Sequence, residues 1–174
     1  AHVADLALHF VHDLATKTYV TNFSSFGSIP QPFTADDSAV LITASAPTIS
    51  ERPLLLFSLD GSPNEIIATN ASPFAMSLYG SKIAYQKTVD GVRGLYFYDR
   101  TTKISTPLTI VGANAAVRVS GNSAFSIDGR FFTFLATSDL TGNASHSFNK
   151  LYTYDKLLKT IRLVCQNAAA HMAD

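Results

Sequence analysis

Few residues of this 174-residue chain stand in a spacing that could do chemistry. His9, His12 and Asp13 form a His-x-x-His-Asp group. On a helix the two imidazoles could share a metal; on a strand, residues three apart point to opposite faces. The neighbouring Phe10 and Val11 favour a strand, so surface or packing histidines are expected, with Asp13 capping a turn. Asp36 and Asp37 are adjacent carboxylates. Neighbours on a strand face opposite ways and make a poor acid/base pair, so a turn role is expected there too. The polar stretch 138–149 spaces oxygen-bearing side chains at Asp139, Thr141, Asn143 and Ser145, followed by His146. It resembles a calcium loop superficially, but the glycine and terminal glutamate of an EF-hand are absent and one carboxylate is little charge for calcium. A plain inter-strand loop is expected. Cys165 is the single cysteine, which leaves no intrachain disulfide and no cysteine-based zinc site. With no evident histidine beside it, it reads as a buried small apolar residue. G-x-G-x-x-G, Walker and G-x-S-x-G patterns are missing. The expectation is therefore no catalytic residue, no metal and no cofactor.

The elements that would position these residues are strands. One phrase recurs, an aromatic or apolar strand ending in Asp and followed by a polar turn: Phe10-Val11-His12-Asp13, Phe57-Ser58-Leu59-Asp60, Tyr96-Phe97-Tyr98-Asp99 and Tyr152-Thr153-Tyr154-Asp155. The copies lie about 40 to 55 residues apart, around the period of propeller blades. A second phrase precedes it in three units, a turn followed by an apolar strand: Asp36-Asp37-Ser38-Ala39-Val40-Leu41-Ile42, Tyr79-Gly80-Ser81-Lys82-Ile83-Ala84-Tyr85 and Ile127-Asp128-Gly129-Arg130-Phe131-Phe132-Thr133-Phe134. Each unit reads as a four-stranded antiparallel meander, one blade. The near-continuous apolar runs at Val40-Leu41-Ile42, Leu54-Leu55-Leu56-Phe57 and Phe131-Phe132-Thr133-Phe134 suit strands buried on both faces. Gly91-Val92-Arg93-Gly94 reads as a hairpin tip. Seven prolines punctuate the chain, and no long 3.6-residue stripe survives. The expected fold is all-β, about three and a half propeller blades and an incomplete propeller: a partial blade at 1–26, blades at 27–70, 71–112 and 113–165, and a tail at 166–174.

Composition narrows the partners. Lys plus Arg equals Asp plus Glu, so no phosphate-binding footprint exists and nucleic acid is not expected. No apolar run is long enough for a membrane helix, and no membrane insertion is expected. Charged residues are only 15% of the chain, below the usual quarter, which fits a piece covered by neighbours. Ala1-His2-Val3-Ala4-Asp5 and Ala170-His171-Met172-Ala173-Asp174 nearly repeat each other. The start is neither a signal peptide nor an initiator methionine, so the chain is expected to be a segment, completed by another chain or by a second copy. Asn22, Asn70 and Asn143 open N-x-S triplets, glycan acceptors only in a secreted eukaryotic setting.

The phrase Ser126-Ile127-Asp128-Gly129-Arg130-Phe131-Phe132-Thr133-Phe134, with Leu151-Tyr152-Thr153-Tyr154-Asp155 after a loop, resembles the WD40-like (PD40) repeat of TolB-like propellers. Residues 121–164 carry the resemblance best; 74–111 follow it with Tyr79-Gly80-Ser81-Lys82 in place of the Asp-Gly turn, and 32–69 more loosely. The resemblance implies a non-catalytic binding or assembly module, periplasmic or extracellular. The alternatives it leaves open are the propeller portion of a prolyl-oligopeptidase-like serine peptidase or another secreted hydrolase or lyase, and a structural repeat of a surface layer or filament. Contacts are expected from turns and the long loop, which makes Asp36, Asp37, Asp128, Asp139, Asn143 and His146 the candidate binding residues.

Overall fold

The structure is a computed structural model that describes residues 2–5, 10–13, 18–20, 23–25, 33–44, 52–111, 124–136, 140 and 150–166. A three-stranded sheet comes first: β1 (His2–Asp5), β2 (Phe10–Asp13) and β3 (Thr18–Val20). Blade I holds β4 (Phe23–Ser25), β5 (Ala39–Ala44), β6 (Pro53–Ser58) and β7 (Glu65–Thr69). Blade II holds β8 (Ala71–Met76), β9 (Lys82–Val89), β10 (Val92–Asp99) and β11 (Ile104–Val111). Blade III holds β12 (Ala124–Phe125), β13 (Phe131–Ala136), β14 (Lys150–Asp155) and β15 (Thr160–Gln166). In every sheet spatial order equals chain order and all pairings are antiparallel. These are the meanders of a partial β-propeller, as the repeat predicts.

Register shows which positions are equivalent. Lys82 stands opposite Asp99, and Asp99 opposite Ile104. Phe131, Asp155 and Thr160 repeat that pattern in blade III, and His2, Asp13 and Thr18 repeat it in the first sheet. The β1–β3 sheet thus has the backbone register of the last three strands of a blade. Blade I departs from the repeat read in the sequence. Ala39 pairs with Ser58, so Ser58 occupies the Asp99 position and Asp60 lies two residues further on. A shift of two leaves strand alternation unchanged, so hydrophobic pattern cannot detect it. Phe23 in β4 pairs with Ala44, which puts the first strand of blade I ahead of residue 27.

The hydrophobic clusters lie between sheets. Leu41, Leu54, Leu56 and Ile67 of blade I pack with Ile83, Tyr85 and Tyr98 of blade II. Ala84, Leu95 and Phe97 of blade II pack with Phe132, Phe134, Tyr152 and Tyr154 of blade III. Alternate residues of β9 and β10 therefore serve opposite neighbours, which is why these strands are apolar on both faces. Val40, Ile42 and Leu55 form a further cluster on the other face of blade I. The aromatic rings between blades II and III run as a chain, with Phe132–Phe134 centroids 5.3 Å apart and Phe134–Tyr152 5.8 Å apart. The β9–β10 hairpin turns at Asp90 and Gly91, both at positive φ, the signature of a type I′ turn. Val92 and Gly94 belong to β10, so the tip is one dipeptide earlier than Gly91-Val92-Arg93-Gly94.

Candidate functional site

Two kinds of turn meet at one end of each blade: the turn from the first to the second strand, and the turn from the third to the fourth. The first is built three times on one plan. Thr34, Ser77 and Ser126 each accept the amide N–H five residues on, from Ala39 (3.0 Å), Lys82 (2.9 Å) and Phe131 (2.8 Å). Their carbonyls accept the N–H of Asp37, Gly80 and Gly129, and these three residues share positive φ of 55°, 69° and 67°. Asp36 and Asp128 sit one residue earlier. Asp36 accepts from the Ser38 N–H at 3.2 Å and hydroxyl at 2.8 Å. Asp128 accepts from the Arg130 N–H at 3.0 Å and the Ser126 hydroxyl at 2.6 Å. Hydroxyls of Thr34 and Ser38 hold the Asp36 carboxyl below the usual range, and Ser126 does the same for Asp128. Successive turns also touch: the Ala35 N–H donates to the Leu78 carbonyl at 2.7 Å. A Cβ on Gly80 would lie 2.9 Å from Thr34 Cγ2 of blade I, and one on Gly129 2.9 Å from Lys82 Cγ of blade II.

Charged side chains tie the blades together at the same end. Asp99 accepts from Lys82 Nζ of its own blade at 2.8 Å and from Lys156 Nζ of blade III. Burial opposes ionisation of Asp99, but the hydrogen bonds from Lys156 and Lys82 outweigh it and hold its carboxyl at about 2. One blade earlier, Glu65 accepts from Tyr98 Oη at 2.6 Å, Arg100 Nε at 2.7 Å and Lys103 Nζ. Lys103, Tyr98 and Arg100 together overcome the burial of Glu65 and keep it below its ordinary value. Burial, then the bond to Glu65, raises the Tyr98 phenol. Arg100 and Lys156 are equivalent: each follows the strand-ending Asp and donates its N–H to a carbonyl of its own first turn, Ser81 or Arg130. Each side chain reaches back to an acid of the preceding blade. Asp155 takes a bidentate grip from Arg130, at 3.2 and 2.8 Å, which holds it at about 2.

Of the residues expected to bind, Asp36, Asp37 and Asp128 lie on these turns, exposed at the rim. The adjacent Asp36 and Asp37 form no acid/base dyad: Asp36 is consumed by its turn, and Asp37 fills the positive-φ place of a glycine. Asp139, Asn143 and His146 lie outside the described residues, as does His9. Cys165 is half-buried and free. Sequence reading passed over Lys82, Glu65, Arg100 and Lys156. The signal for two of them was present, a cation directly after the strand-ending Asp.

A cleft of about 350 Å³ opens where blades II and III meet, lined by Lys82, Asp128, Gly129, Arg130, Lys156 and Leu157. Arg130 lies 4.7 Å from the Phe131 ring centroid. Asp99, Asp128 and Asp155 are held ionised at neutral pH, so none carries a proton to donate. Fixed charges and hydrogen-bonding groups on stacked turns suit holding a surface in register.

No family model matches the chain, and no curated protein matches it significantly. Solved structures do. TolB from Acinetobacter baumannii superposes with a TM-score of 0.53 at 18% identity over 90% of this chain and 37% of its own. The putative TolB from Agrobacterium tumefaciens gives 0.56 at 15% identity over 95% of this chain and 61% of its own. The tricorn protease gives 0.60 at 14% identity over 91% of this chain and 15% of its own. The chain spans less than two thirds of each. At these identities the likeness is one of fold, and with the meander topology and between-sheet cores it gives the chain the fold of a partial β-propeller, similar to those of TolB and the tricorn protease.

Proposed function

We propose that this chain is a non-catalytic binding and assembly module, an arc of a TolB-like propeller whose ring is completed by another protein chain or by a second copy. The observation that supports this reading is the location of its cores. They lie between sheets, so a sheet of this kind is fully buried only with a neighbour on each face. The rim of stacked turns, with exposed Asp36, Asp128, Tyr79 and Ile127 on a rigid base, adds a surface for protein contact. The resemblance in the repeat favours a periplasmic or extracellular setting. The mass of native material by native mass spectrometry tests the reading: a complex heavier than one chain is expected. A single chain of one mass that unfolds and refolds reversibly on its own overturns it.

A second reading, the propeller portion of a serine peptidase or other secreted hydrolase or lyase, draws on the likeness to the tricorn protease. Peptidase activity that copurifies with the native chain, and persists at constant specific activity, would favour it.

A further inference from the structure

We propose that the face of blade III turned away from blade II docks a second copy of this chain, head to tail, through that copy's β1–β3 sheet. This rests on the assembly reading above and names its surface and partner. The argument is continuity of an interface present twice in the chain. In blades I and II the face turned toward the next blade is closed: Leu41, Leu54 and Leu56 are at most 2% exposed beneath blade II, and Ala84, Leu95 and Phe97 are at most 2% exposed beneath blade III. The register-equivalent positions of blade III are Thr133, Leu151 and Thr153, each half-buried. At the edge of the same face Phe131 is 38% exposed, where Ala39 and Lys82 are 5% and 9%, and Val164 is 55% exposed. Threonine at two of the central positions lets this face meet water while free, while Phe131, Leu151 and Val164 keep an apolar surface to bury.

The occupant follows from the form of the interface. Each blade-on-blade contact joins a forward face to a different, backward face, so it is heterologous and generates a ring when the rotation closes. The chain carries its own starting piece for that step, the β1–β3 sheet in blade register. The described sheets of two copies number about eight, within the usual four to eight blades of closed propellers. Two identical junctions then close a two-fold ring, and the next sheet lies on Phe131 as blade III lies on Lys82.

Analytical ultracentrifugation of the full chain across a concentration series tests this. A reversible dimer is expected. Val164→Glu and Phe131→Asp are each expected to raise its dissociation constant roughly tenfold or more, by placing a charge in the contact. Ile66→Glu, at an exposed site on blade I, leaves it unchanged. Val164 is already exposed, so its substitution keeps the fold intact. Cys165, paired with Leu151, is expected to react more slowly with a thiol reagent in the dimer. A mass of one chain at every concentration overturns the proposal, and so does a dimer indifferent to both blade III substitutions. A native complex with a different protein overturns it too, while leaving the assembly reading standing.

Discussion

Asp99 is the residue whose loss should be felt most among the charged groups. It is one carboxylate shared by two ammonium groups from two blades. Removing one partner of a buried pair costs about 3–5 kcal/mol; because Lys156 reaches solvent, about 2 kcal/mol is expected for Asp99→Asn, read from urea unfolding. The pH dependence has a definite sign. The folded-state value of Asp99, about 2, lies below the ordinary 3.8, so its contribution is present above pH 3.8 and is lost as pH falls through about 2. Asp155 and Asp60 are depressed to about 2 as well. Wild-type stability should therefore fall across this acid window, and Asp99→Asn should flatten part of that fall. Sequence exposed Asp99 and Asp155 as strand-ending anchors but hid the partners of Asp99: Lys82, 17 residues away, is set opposite it by the β9–β10 register, and Lys156, 57 residues away, reaches it only because blade III stacks on blade II.

Turns are the elements in which one local plan was built three times. Glycine at the fourth position of the blade II and III turns serves two purposes, and comparison with Gly91 of the β9–β10 hairpin separates them. Gly91 has φ 76° and open space where a Cβ would go, so Gly91→Ala pays the left-handed backbone penalty alone, about 1–2 kcal/mol. Gly80→Ala adds a clash with Thr34, a buried side chain of the adjacent blade, and should cost more than Gly91→Ala in the same unfolding assay. Gly129→Ala presses on Lys82 Cγ, near the base of a buried side chain that Asp99 holds at its far end, and should likewise cost more than Gly91→Ala. Asp37 fills the equivalent position in blade I, so that turn tolerates a side chain. The Asp-Gly signature made the blade III turn legible in sequence. The blade I and II turns share its hydrogen bonds without that signature, since the geometry needs only a hydroxyl and a positive φ.

Over the whole molecule, stability is distributed between neighbouring sheets. Phe134 is 1% exposed in the ring chain joining blades II and III. Phe134→Ala should cost about 3–5 kcal/mol by the usual cost of emptying an aromatic core site, and should loosen blade III before blade I. Native-state hydrogen exchange should show the same gradient. Backbone amides of β9 and β10, in the blade sandwiched on both faces, should be the slowest to exchange, and those of β15 faster. Equal protection of the two would mean the sheets open as one unit.

The sequence by itself determined the architecture. Period-two apolar runs, a repeat of about 40 to 55 residues and turn chemistry are local signals, and a meander connects strands that are neighbours in the chain. Even the double-sided burial of the central strands was written in runs such as Val40-Leu41-Ile42. What only the tertiary structure decided is which residues share a site. The pairing of Asp99 with Lys156 and the seating of Gly80 on Thr34 and of Gly129 on Lys82 depend on how one sheet lies on the next, and the placing of Ser58 rather than Asp60 at the strand end depends on the β5–β6 register. That lateral fit is set by side-chain packing between elements, and a one-dimensional pattern with a period of two carries no record of it.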